Sequence, residues 1–171
     1  MRLIDIIRER RSVRAYKDQP VPEDALARIL EAARLAPSAR NRQQWKFVVV
    51  RDPEKRRKLA EAAGSQEFVA EAPVLIVAVA LDPERVMTCG LPTYTVDLSI
   101  ALTHIILAAW DEGLGTCWTG SFQPEGVKRV LGIPDKYKVV TVMPLGYAAD
   151  SPQPKERKPL EEIVCYEEFS E

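Results

Sequence analysis

Histidine is almost missing from this chain and cysteine is scarce: 171 residues include one histidine, His104, and three cysteines, Cys89, Cys117 and Cys165. The cysteines are widely spaced, with no CxxC pair, so no metal site is legible. A glycine-rich GxGxxG turn after a strand is absent, and so is a Walker phosphate loop. Excess charge of one sign is missing as well. Lysine and arginine total 24 against 25 aspartates and glutamates, a formal net charge of -1, which argues against a whole-surface nucleic-acid binder. The basic run Lys55-Arg56-Arg57-Lys58 reads as a solvated helix face rather than a phosphate contact. The start, Met-Arg-Leu-Ile-Asp-Ile-Ile-Arg, alternates charge with apolar residues and lacks the features of a secretory signal. The longest apolar stretch, Leu98 to Trp110, is interrupted by Ser99, Thr103 and His104, and is shorter than the roughly 20 residues a bilayer span needs. These absences predict a cytoplasmic protein with neither membrane nor nucleic acid as partner.

Enough apolar residues are present for folding: 46% of the chain is hydrophobic and 29% charged. The length suits one domain over 1–171. Leu3, Ile6 and Ile7 suggest a short first helix. Leu26, Ile29, Leu30 and Ala33 fall at helical spacing in Glu23 to Ala36, which Pro37 stops. Phe47 to Val50 reads as a strand, and Asp52-Pro53 opens a charged helix to about Ala63. Pro73 to Leu81 is apolar on both strand faces, which predicts a central strand with helices on either side. Thr93 to Glu112 predicts a long helix, apolar nearly all round, that is buried or forms a subunit interface. Pro124 to Leu131 predicts a short helix and Val139 to Leu145 a third strand.

Two cationic clusters stand near the sequence ends, Arg10-Arg11-Ser12-Val13-Arg14 and Lys155-Glu156-Arg157-Lys158. If they meet in space, they supply charge, forked donors and a hydroxyl to a phosphate dianion; otherwise they are solvated surface clusters. Asn41 and Gln43, in the loop from Pro37 to Trp45, can donate and accept toward a heteroaromatic ring edge, with Trp45 covering a face. The same loop reads equally as a capped turn leading to a core tryptophan. His104, inside the apolar helix, reads as a core or interface residue, and Cys117 as a structural thiol.

In order along the chain, Arg-Arg-Ser-Val-Arg, Ala-Pro-Ser-x-x-Asn-x-Gln-x-Trp, Glu-Gly-Leu-Gly-Thr-Cys-Trp-Thr-Gly and Lys-Glu-Arg-Lys-Pro resemble the motifs of the nitroreductase family of flavin mononucleotide (FMN) oxidoreductases. The resemblance implies an α+β three-layer sandwich, with a mostly antiparallel sheet flanked by helices, in an intertwined homodimer with two FMN sites at the interface. It implies that Arg10, Arg11, Ser12, Lys155 and Arg157 hold the phosphate and ribityl chain, and that Arg14 stabilises reduced flavin from the pyrimidine edge. Pro37, Ser38 and Asn41 then come from the other subunit, and the backbone near Thr119 and Gly120 donates toward N5. The flavin carries the chemistry, so no side chain is assigned as catalytic. NADH or NADPH is the implied electron donor and a nitro-compound or quinone the acceptor, in a ping-pong sequence. Alternatives are a flavin-consuming or dehalogenating relative, or a flavin-binding module that does not turn over. Family members often have glycine where Arg40 stands and proline where Gln44 stands. The short connection from Asp82 to Thr93 implies an open flavin face.

Overall fold

Strand β2, Val74–Ala80, is buried along its whole length. In the computed structural model, which describes residues 2–64 and 66–170, it occupies the interior of a sheet ordered β1-β2-β4-β3. The other strands are β1 (Trp45–Val50), β3 (Gly115–Thr116) and β4 (Lys138–Gly146), and every pairing is antiparallel. Alternate side chains of a strand face opposite ways. Val74, Ile76, Ala78 and Ala80 therefore pack against Leu26 and Ile29 of helix α2 (Glu23–Arg34), and against Leu98, Leu102 and Ile105 of helix α5 (Thr93–Asp111). Leu75, Val77 and Val79 pack the other way, against Leu59 of α3 (Pro53–Ala62), Val69 of α4 (Glu67–Glu71) and Val127 of α6 (Pro124–Leu131). Helices, sheet and helices make the three layers that the motifs imply.

The short first helix is α1, Leu3–Glu9. Helix α3 starts as its sequence predicts, with Asp52 Oδ1 accepting from Lys55 N–H at 2.8 Å and Pro53 in the first turn. The long apolar helix expected from Thr93 to Glu112 is α5. The apolar run at Leu98 sits in a 19-residue helix that is long and apolar enough to cross a membrane by length and composition. Its packing against α2 and the sheet makes α5 a core helix instead.

The fold also explains why the sequence ends converge. Gly115 and Thr116 add β3 to the sheet edge, and the segment after α1 runs alongside it, with Ser12 bridged in parallel to Thr116 and Val13 N–H donating to the Thr116 carbonyl at 2.9 Å. The chain leaving β4 then lies antiparallel to the same segment. Tyr16 bridges Ala148, Lys17 N–H donates to Tyr147 O and Ala149 N–H to Ala15 O, both at 2.9 Å. Tyr16 is buried, and its hydroxyl donates to Val13 O at 2.8 Å; burial raises its pKa well above the ordinary tyrosine range. Residues 10–14 and the tail beginning at Pro152 are thus delivered to one place by backbone pairing.

Candidate functional site

At that place lies a cavity of about 870 Å³, lined by Arg10, Arg11, Ser12 and Arg14 from one segment and by Lys155 and Arg157 from the other. Its size suits a small-molecule cofactor. Glu9 is the one carboxylate among its lining residues. Among the described residues, none of these five cations lies within 4 Å of a carboxylate oxygen. Unpaired cations beside a hydroxyl leave a charge surplus that fits a bound phosphate. Arg11 differs from the rest: its Nη1 donates to the carbonyls of Arg8, Glu9 and Arg10 at 2.9, 2.6 and 2.9 Å. It therefore satisfies the orphan acceptors at the end of α1 and sets the path of the segment.

A second cavity of about 250 Å³ shares Arg10, Arg11 and Ser12 and is completed by Thr103, Ile106 and Leu107 of α5, with Thr116 and Trp118. Trp118 lies within the Gly-Thr-Cys-Trp-Thr-Gly motif, but nothing in its sequence pattern marks it as a lining residue. Neighbouring Thr119 is buried, and its carbonyl accepts from Thr141 Oγ1 at 2.8 Å, while Gly120 is exposed. Their N–H groups make no hydrogen bond to a described residue and remain available as donors. Thr119 and Gly120 line neither cavity.

Pro37, Ser38 and Asn41 also lie outside both cavities. They belong to a loop with a short 3-10 turn at Ala39–Asn41, in which Arg40, Asn41 and Gln43 have φ of 55°, 53° and 52°. The left-handed conformation costs an L-residue roughly 1–2 kcal/mol, less for asparagine. Local hydrogen bonds hold it: Gln43 N–H donates to Ser38 Oγ at 3.0 Å, and the Gln43 amide reaches Asn41 Oδ1 at 3.1 Å. Trp45 is half-buried against the core and stacks obliquely near Phe47. His104 Nδ1 lies 3.1 Å from Ala32 O, tying α5 to α2.

The family model described as Nitroreductase family matches residues 7–73 and 62–147. The chain belongs to the nitroreductase family. An NADH dehydrogenase of Thermus thermophilus is 35% identical over 189 residues, covering 92% of this chain and 92% of the relative. An FMN reductase [NAD(P)H] of Bacillus subtilis is 32% identical over 184 residues, covering 98% of this chain and 74% of the relative. A crystal structure of a nitroreductase family protein from Clostridium novyi NT superposes with a TM-score of 0.83 at 36% identity, covering 91% and 89% of the two chains.

In this nitroreductase-family chain Arg40 stands at a strained point of the loop. The position takes a left-handed backbone, which glycine adopts without penalty and arginine does not. The connection from Asp82 to Thr93 contains no helix and turns back through hydrogen bonds from Met87 N–H to Leu91 O at 2.8 Å and Thr93 N–H to Arg85 O at 2.9 Å. All three cysteines are free. Burial pushes the Cys117 thiol up against an opposing pull from Arg14, whereas hydrogen bonds from Ser170 hold the exposed Cys165 thiol below its ordinary range. A thiol with a raised pKa presents less thiolate at mildly alkaline pH. Ellman's reagent will therefore titrate the two exposed thiols quickly, Cys165 first, and Cys117 only after unfolding. Fast reaction of all three in the folded protein would contradict the burial.

Proposed function

We propose that this chain is an FMN-dependent NAD(P)H oxidoreductase that acts as a homodimer and passes electrons, in a ping-pong sequence, to an oxidised acceptor such as a nitro-compound or quinone. The observation that carries the reading is the convergence of Arg10, Ser12, Arg14, Lys155 and Arg157 on one cavity from opposite ends of the sequence. Membership of the nitroreductase family and likeness to an FMN reductase support the cofactor and the donor.

When bound, FMN supplies hydride chemistry at N5, and the protein contributes binding, orientation and charge. Arg10, Ser12, Lys155 and Arg157 grip the phosphate and ribityl chain. Arg11 fixes the segment through its cap on α1. Arg14 brings positive charge to the pyrimidine edge, where reduction adds negative charge. The free N–H groups of Thr119 and Gly120 donate toward N5. The loop with Pro37, Ser38 and Asn41 reaches the cofactor held by the second copy, giving two FMN sites at the interface. The short 82–92 connection leaves the flavin face open to the acceptor.

Exposed apolar surface supports the dimer. Leu3, Ile4 and Ile7 of α1 are at least 47% exposed, and Leu160, Ile163, Tyr166 and Phe169 of the tail are at least 64% exposed. On α5 the outward hydroxyls of Ser99 and Thr103 donate back to the carbonyls of Thr95 and Ser99. They ask for no polar partner beside half-buried Val96, Ile100 and Leu107. Large exposed apolar side chains of this kind favour a protein partner. The cytoplasm, which keeps thiols reduced, suits the three free cysteines.

Initial rates with NADH or NADPH varied at several fixed concentrations of menadione or a nitroaromatic test this reading. Parallel double-reciprocal lines and sedimentation as a dimer are expected. Intersecting lines contradict the ping-pong sequence, and a monomer saturated with FMN contradicts the shared sites.

A further inference from the structure

Inside the apolar helix α5 sits one buried carboxylate, Asp97, 5% exposed. Burying a carboxylate is costly unless it is hydrogen-bonded. Its described partner is a backbone group far away in sequence, the Ala39 N–H, at 3.0 Å from Asp97 Oδ1. Ala39 opens the left-handed stretch that carries Arg40, Asn41 and Gln43. A stretch with three strained residues keeps its shape only where its surroundings over-determine it. At the far end the loop is held by Leu81 N–H, which donates to Gln44 O at 3.1 Å. At the near end Asp97 is the tie to the core. Thr93 Oγ1, one turn earlier on α5, is buried without a hydrogen-bond partner, and Thr93 and Asp97 line a void of about 10 Å³ together with Arg42, Gln44, Asp82 and Arg85. Tyr94 and Leu98 line the same void, so Asp97 and Thr93 place polar groups against a largely apolar wall at the base of the loop.

We infer that Asp97 is a positioning residue: by accepting from Ala39 N–H it fixes the loop conformation in which Asn41 meets the flavin ring edge. This rests on the reading that Asn41 contacts the cofactor. Asp97 lines neither of the two cavities at the arginine segment, so it acts on the cofactor indirectly, and its one described hydrogen bond leads to the loop.

FMN and riboflavin are titrated into the apoprotein of the wild type, Asp97→Ala, Asp97→Asn, Asn41→Ala and the Asp97→Ala/Asn41→Ala double variant. A lost hydrogen bond to a charged group corresponds to about tenfold in affinity or somewhat more. Asp97→Ala is expected to weaken FMN and riboflavin alike by about tenfold, because the ring edge is common to both. Asp97→Asn stays within about threefold of wild type, since an amide carbonyl still accepts from Ala39. The double variant binds no more weakly than Asn41→Ala alone, because the two residues act in series. Losses that multiply to about a hundredfold overturn the inference while leaving Asn41 as a contact. If Asn41→Ala binds both flavins as wild type does, the Asn41 reading falls and the inference falls with it. Should Asp97→Ala fail to fold, the cycle is run with Asp97→Leu, which fills the space without an acceptor.

Discussion

Replacing Gly115 with alanine is expected to cost about 2 kcal/mol of stability, in the range for overpacking a core contact, and to weaken FMN binding at the same time. A Cβ at Gly115 would lie 2.8 Å from Val13 Cβ and closer still to Val13 Cγ2. Val13 is fully buried, and its N–H is paired with Thr116 O. The valine therefore cannot move aside without lifting the backbone of the arginine segment off β3. Ser12 and Arg14, on either side of Val13, shift with it. Urea denaturation of the apoprotein gives the first quantity and FMN titration the second. A Gly115→Ala protein with wild-type stability and wild-type FMN affinity would show that this contact does not hold the cationic segment in place.

The second large effect concerns the phosphate. Arg10 and Arg157 reach the cavity from opposite ends of the chain, and each side chain lost there is expected to weaken FMN about tenfold once solvent screening is allowed for. The Arg10→Ala/Arg157→Ala double variant should lose more than either single variant, up to about a hundredfold, the limit reached only if two residues that share one phosphate act without coupling. Riboflavin has the same ring and chain but no phosphate, so its affinity should fall far less than that of FMN in the double variant. Salt supplies a further check, since raising ionic strength should weaken FMN binding more in the wild type than in the double variant. An equal loss of FMN and riboflavin would mean that the arginines shape the cavity rather than bind phosphate.

Much of this arrangement is legible in the sequence wherever one physical signal dominates. The continuous apolar run from Pro73 to Leu81 predicts a strand covered on both faces, and the strand forms over Val74–Ala80. Pro124–Leu131 is a helix over the very residues that its leading proline and periodicity indicate. Short elements are harder. Glu67–Glu71 is five residues long and Gly115–Thr116 only two, too few for any periodicity, and tertiary pairing decides both. The cationic ends were visible as clusters, but their meeting depends on the pairing of Tyr16 with Ala148, which no local pattern announces. Asp97 gives no signal within an apolar helix because its partner is a backbone N–H 58 residues away. Arg40 shows the reverse case, an arginine at a backbone position whose left-handed conformation glycine adopts without penalty.

In the proposed function the cavity where the two cationic segments meet holds a flavin that a nicotinamide donor reduces. The most direct measurement is the visible spectrum of the purified protein reconstituted with FMN, recorded anaerobically before and after NADH or NADPH is added. A bound-flavin spectrum that bleaches with at least one donor is the predicted result. Failure to bind FMN after reconstitution, or bound FMN that neither donor reduces, would contradict it.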